Sequence, residues 1–371
     1  MAGMQFGLMM RAQFPAGDDM PARFRELTEQ ARLANALGYA SITKGMHYSA
    51  APWQDFQQFP FLCRIMAEAP NLRINFGLIL LSLHKPLDIA EQIATADVMS
   101  GGKVIFGVAL GYREVEYLAF GTTQKERVSR FEENLLAVKR LWTEDIVTMA
   151  GSHFTLKDAA LGSRPVQKPH PPIWIGANAD PAIRRAARLG DCWYVNPHNR
   201  IDTIVRQVEV YTRALDECGK PFPKEFPARR EVFVAKSRSE AIRLCAPFLG
   251  AKYQAYAEWG QGRAMPAGDN DLGLAFDDLT RDRFLLGSPD EVAEQLKEVA
   301  TSLNVGHLMM LLQFGNMGKD LAKYNTKVFA DQVMPQLTGL FPEWEDRWWP
   351  APMPKVERAE PAAFAATLAA E

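Results

Sequence analysis

Eight short apolar runs, each handing over to a stretch with helical spacing, constrain this chain more than any other feature. The runs lie at residues 5–10, 40–43, 73–81, 104–110, 173–177, 192–195, 231–235 and 307–313. The third is apolar without a break after Asn75, the pattern of a strand buried on both faces. Between the runs, Phe24, Leu27, Ala31 and Ala34 mark one helix face that Gly38 can end, and Pro86 opens a helix with Ile89, Ile93 and Ala96 on one side. Asp180-Pro181 supplies an N-cap and a first-turn proline, and Ser288-Pro289-Asp290-Glu291 reads as a capping box. Strand–helix units of roughly 30 residues point to parallel βαβ architecture. Inner strands and outer helices suit a closed α/β fold, the (β/α)₈ TIM barrel, better than an open sheet.

Two segments exceed the repeat. Residues 146–172 precede the fifth strand, and residues 249–286 form a longer excursion rich in Gly, Asp and aromatics without helical or strand periodicity. Loops of this length are commonly functional, and both are expected as insertions at the C-terminal rim. The reading is one barrel domain over residues 1–340, without a second core, and a Trp/Pro/Ala-rich tail over 341–371.

Of the 371 residues, 47% are hydrophobic and 23% charged, and the formal net charge is −2. That balance gives no general attraction to nucleic acid or to an anionic membrane. No apolar run reaches the ~18 residues of a membrane helix, and the start of the sequence lacks a signal-peptide pattern, so a cytoplasmic location is the default expectation. Cys63, Cys192, Cys218 and Cys245 are scattered and read as reduced. No HxxxH or HxH pair indicates a metal, and no GxSxG supports a serine hydrolase. Residues 107–111 do not spell GxGxxG, so no nicotinamide site is indicated. Met9, Met10, Met309 and Met310 read as barrel core. His198 and Gln313 stand near strand ends where they could line a pocket. The loop over 48–61, rich in Trp and Phe, suggests a mainly apolar substrate pocket.

Several stretches, in order, resemble luciferase-like flavin-dependent monooxygenases. They are Leu87-Asp88-Ile89-Ala90-Glu91-Gln92 with Met99-Ser100-Gly101-Gly102-Lys103, then Phe106 to Tyr112, Phe120-Gly121 and Arg127-Val128-Ser129-Arg130-Phe131-Glu132-Glu133. Arg164-Pro165-Val166-Gln167, Pro171-Pro172-Ile173-Trp174-Ile175-Gly176, Ala186-Ala187-Arg188-Leu189-Gly190-Asp191, Gly287-Ser288-Pro289 and Val333-Met334-Pro335 follow. The resemblance implies a barrel that binds reduced FMN, or a deazaflavin coenzyme in one branch, with the phosphate near the ends of strands four and five. Here those ends are Leu110 and Gly111, and the turn Ala177-Asn178-Ala179 before a helix whose free amides suit a phosphate, with Arg130 as a further anion contact. Relatives often carry a non-proline cis peptide at the end of strand three, which falls on Gly77–Leu78; a close-packed glycine is the plainer reading.

Relatives also often carry Glu-His-His after strand two. This chain reads Lys44-Gly45-Met46-His47, so His47 is the catalytic candidate and Met46 replaces the other histidine. The resemblance implies transfer of one oxygen atom from O2 to a small, mainly apolar organic substrate through a peroxyflavin. A separate reductase would supply the reduced flavin, and a homodimer is the common assembly. Deazaflavin-dependent hydride transfer and flavin binding without turnover remain the alternatives.

Overall fold

Parallel strands close on themselves around a lumen in this computed structural model, which describes residues 4–340. The barrel strands are β1 (Gln5–Met9), β2 (Ser41–Lys44), β3 (Arg73–Phe76), β4 (Val104–Ala109), β5 (Ile173–Ala177), β6 (Cys192–Val195), β7 (Pro227–Val234) and β8 (His307–Leu311). Each pairs with the next, and β8 pairs with β1 from Gln5↔His307 to Met9↔Leu311, which completes the (β/α)₈ TIM barrel. The outer helices include α1 (Met20–Ala36), α2 (Gln58–Glu68), α3 (Pro86–Met99), α4 (Arg127–Thr143), α5 (Asp180–Leu189), α6 (Ile201–Glu217), α7 (Arg238–Glu258), α8 (Pro289–Leu303) and α9 (Lys319–Val328). Ser288 caps α8 reciprocally with Glu291, as its sequence pattern implied.

Alternation along each strand separates two apolar layers. Val104, Phe106 and Val108 of β4 and Ile173 and Ile175 of β5 pack outward in the main core. Ile105, Trp174, Cys192, Tyr194 and Met309 cluster with Leu78 as a separate layer. Gly107 has a steric reason. A Cβ there would stand 2.8 Å from the Gly77 Cα and 3.0 Å from the Phe76 carbonyl oxygen, so β3 and β4 approach backbone to backbone.

The third apolar run is not one strand. It breaks after Phe76, the Gly77–Leu78 peptide is cis, and Ile79–Leu80 forms a short strand that pairs with β4 at Val108 and Ala109. The seventh strand begins at Pro227, four residues before the apolar run, because the charged Arg229 and Arg230 are part of it.

The two excursions lie differently. Because α4 runs antiparallel to the strands, residues 146–172 leave and rejoin the barrel at its N-terminal end, not at the C-terminal rim. They form an antiparallel hairpin, Val147–Ala150 with Thr155–Ala159, and only its tip climbs the outside to bring His153 within 2.8 Å of Ser129 at the start of α4. Residues 249–258 continue α7, whose buried side carries Lys252 and Tyr256 among apolar neighbours and so hides the helical period. Residues 259–286 then fold over the C-terminal mouth. A second apolar cluster beneath them joins Tyr253, Leu272, Leu279 and Phe284 to Met9, Phe233 and Leu311 of the barrel strands. The four cysteines are free, Cys218 being exposed. No helix among the described residues is long and apolar enough to cross a membrane. The tail over 341–371 lies outside the described residues.

Candidate active site at the mouth of the barrel

The C-terminal ends of the strands surround a cavity of about 380 Å³, a size that suits a small organic ligand. Of the residues singled out in the sequence, His47, Gly77, Leu78, Leu110, Gly111, Ala177, Asn178 and Ala179 line it, and so do His198 and Gln313. Arg130 does not. Its Nε donates to Glu126 Oε2 at 3.0 Å, one turn away on the outer surface, and it is Arg127 that reaches the cavity. Position along α4 decides this: the two arginines share a helix face, but Arg127 is the first residue of α4, at the mouth, and Arg130 stands about one turn farther from it.

The backbone around the cavity is held in place from behind. The Leu110 carbonyl accepts from Ser82 Oγ at 2.5 Å and Tyr117 Oη at 2.6 Å. Gly111 has φ +84°, and a Cβ on it would lie 3.1 Å from Tyr117 Oη. Asn178 accepts from Asn196 Nδ2 through its side chain and from Gln207 Nε2 at 2.7 Å through its carbonyl. Ala179, the N-cap of α5, has no capping side chain; Pro181 carries no amide N–H and the Ala182 amide donates to the Ala179 carbonyl at 2.9 Å, so among the first-turn amides that of Asp180 is the one left for an anion. The Asp180 carboxylate is turned to the surface, where Arg206 grips both oxygens at 2.8 and 2.9 Å and holds it below the usual carboxylate range. Its charge therefore does not oppose an anion at this turn.

His47 is anchored by a residue that sequence reading missed. Its Nδ1 lies 3.2 Å from Oε1 of Glu116, which also accepts from the Tyr48 amide at 2.9 Å. Glu116 sits on the short helix Glu114–Ala119 with its side chain 1% exposed. A carboxylate at Nδ1 favours the proton there and leaves Nε2 as the acceptor nitrogen of the neutral ring. Trp259 packs on the same imidazole with ring centroids 5.0 Å apart and takes the Arg113 guanidinium on its face. Met46, in the place of the other histidine, is buried and lines the cavity beside His47.

The loop over 48–61 does not supply the pocket. None of its residues lines the cavity; Phe59 packs on Phe76 and Phe56 stacks on Phe61 within the core. Apolar lining comes instead from Met9, Met46, Leu78, Leu80, Met265 and Leu311. Polar lining comes from Arg11, Gln13, Tyr194, Arg229, Lys252 and Tyr256. The one signal for these in the sequence was Arg229-Arg230-Glu231, three charges in a segment that turns out to be a central strand.

A sequence model of the family described as luciferase-like monooxygenase matches residues 4–305. The chain belongs to this family. Luciferase-like enzymes similar to it include an FMNH2-dependent dimethylsulfone monooxygenase of Pseudomonas putida, 28% identical over 283 residues, which are 72% of this chain and 77% of that one. An F420-dependent glucose-6-phosphate dehydrogenase of Amycolatopsis mediterranei is 26% identical over 337 residues, 85% of this chain and 95% of that one. Among solved structures, the oxygenating constituent of 3,6-diketocamphane monooxygenase from Pseudomonas putida, in complex with FMN, superposes with a TM-score of 0.74. It is 19% identical, and the match covers 90% of this chain and 99% of that one. The luciferase-like barrel of this chain is thus an enzyme scaffold shared by FMN- and F420-dependent oxidoreductases.

Proposed function

We propose that this protein is a flavin-dependent monooxygenase that uses reduced FMN and O2 to oxygenate a small organic molecule. The observation that carries the reading is the side-chain-poor wall of the cavity facing a held histidine. Gly45, Gly77, Gly111 and Gly176 all line it, Leu78 is displayed beside them, and no carboxylate is among the described lining residues. Glycines leave room for a flat ring against backbone. The uncapped start of α5 at Ala177–Ala179, with Arg127, is the place for a phosphate. These residues fit FMN. When bound, FMN supplies the redox chemistry with oxygen.

The chain's own part is positioning, dryness and a proton. Leu78 and Gly111 support the ring. Residues 261–265, which line the cavity from above the mouth, exclude water. His47, its Nδ1 held by Glu116, accepts or donates a proton at Nε2. The substrate enters on the remaining side of the cavity. The chain has no dinucleotide fingerprint, so a separate reductase delivers the reduced flavin. Deazaflavin-dependent hydride transfer is the second reading, favoured by the F420-dependent relative that spans 85% of the chain.

Binding titrations with reduced FMN, oxidised FMN and deazaflavin, followed by oxygen consumption with a reductase present, separate the two. Tight binding of reduced FMN with substrate-dependent oxygen uptake is expected. Preference for the deazaflavin without oxygen uptake overturns the monooxygenase reading.

A further inference from the structure

Five cations line the cavity, Arg11, Arg127, Arg229, Lys252 and Arg263, and none of the described lining residues is Asp or Glu. Arg127 lies with the phosphate site proposed above. Arg11, Arg229 and Lys252 belong to another wall, formed by the end of β1, by β7 and by α7.

This wall is polar and under-partnered. Arg11 is 2% exposed; its Nε and Nη2 make no hydrogen bond, and its ion pair with Asp18 is long, 3.8 Å. Burial lowers its pKa to about 10, so it is charged at neutral pH. Arg229 Nε and Gln13 Nε2 have no hydrogen-bond partner either, and the hydroxyls of Tyr194 and Tyr256 stand against the Arg229 guanidinium in place of a carboxylate. Both ring nitrogens of buried His198 are unpartnered, and burial together with Lys252, Arg229, Arg283 and Arg230 holds it neutral.

The carboxylates nearby are already engaged. Glu231 accepts from Lys252 Nζ, and its other oxygen faces Tyr253 Oη at 3.4 Å. Asp269 takes Arg200 and Arg283. Burial lowers Lys252 to about 8, which still leaves it mostly protonated at neutral pH. The cations around His198 therefore outnumber the carboxylates. Buried positive charge without a counter-ion is costly unless a ligand provides one.

We propose that the substrate carries an anionic head, a carboxylate, sulfonate or phosphate, seated at Arg229 and Tyr194 with Arg11 adding charge, while Lys252 is neutralised by Glu231. Its apolar body runs along Met9, Leu311 and Met265. This refines the expectation of a mainly apolar substrate and rests on the reading that FMN occupies the Leu78 and Ala177–Ala179 side. The same cations would also suit a cofactor phosphate, so the test separates the two sources.

The full-length protein is titrated by calorimetry with octanoate, octanesulfonate, octyl phosphate and octanol, with and without saturating FMN. At least one anion should bind about 10–100-fold tighter than octanol, as charge-assisted hydrogen bonds imply, and FMN should not displace it. Arg229→Gln should remove most of that preference and Arg229→Lys should keep it. If Arg229→Gln does not fold, Tyr194→Phe, which deletes the hydroxyl beside Arg229, should lower the preference several-fold. Equal binding of octanol and all three anions overturns the proposal while leaving FMN binding intact. Competition between FMN and the anions, or an Arg229→Gln variant that loses FMN but retains riboflavin, assigns the cations to the cofactor and also overturns it. Anion preference without any FMN binding upholds the anion site and sinks the FMN reading instead.

Discussion

His47 Nδ1 and Glu116 Oε1 lie 3.2 Å apart, and the second oxygen of this buried carboxylate has no hydrogen-bond partner. Residues 69 positions apart in sequence thus form one hydrogen-bonded pair. If His47 carries the proton, His47→Ala should lower turnover by ~10²–10⁴-fold with FMN affinity retained. Glu116→Gln keeps the shape but removes the charge. It should cost less and displace the pH–rate profile, which a merely structural carboxylate would not do. Steady-state rates across pH with saturating reduced FMN check both, and unchanged turnover in His47→Ala removes it from the chemistry.

Arg127 and Arg130 are distinguished by height along α4, the first standing at the mouth. Arg127→Ala should weaken FMN binding by ~1–3 kcal/mol if it contacts the phosphate. Arg130→Ala removes a half-buried ion pair with Glu126 outside the cavity and should leave FMN affinity unaltered. Fluorescence titration of both variants decides the assignment; the reverse pattern would return Arg130 to the site.

Gly107→Ala should destabilise the barrel by ~1–3 kcal/mol, since the new methyl meets Gly77 and Phe76 backbone instead of a movable side chain. Urea unfolding of the variant measures it. A change below the error of the method would mean that β3 and β4 part easily.

His84 is pushed down to about 4, chiefly by burial and partly offset by Asp88. Between pH 6.5 and 4 the unfolded chain binds this proton and the folded protein does not. Stability is therefore full above pH 6.5 and falls as pH drops through that window, by up to about 3 kcal/mol from this group. His84→Asn should lose correspondingly less on acidification, read as the difference in denaturant midpoints at pH 6.5 and 4. Identical losses in both proteins would show that folded His84 takes up its proton as readily as the unfolded chain does.

The eight apolar runs, the Pro and Ser caps and the glycines were legible one by one, because strand alternation, helical period and turn chemistry act over a few neighbouring residues. β5 and β6 were bounded correctly from sequence, and the turn at Ala177–Ala179 with His47 and Gly111 was found because family resemblance tracks short ordered stretches. Arg130 was misplaced because two arginines one turn apart on the same helix face look alike in sequence, and only the first stands at the mouth. The aromatic loop over 48–61 was read as pocket because apolar residues serve a core or a cavity equally well. By itself, the sequence determined the barrel and the place of its mouth. Only the closed tertiary structure decided which charges share that mouth: Glu116 beneath His47, and Arg11, Arg229 and Lys252 on one wall, come from separate elements of the chain. Their meeting depends on barrel closure and on α7 crossing the rim, long-range packing that no local pattern encodes.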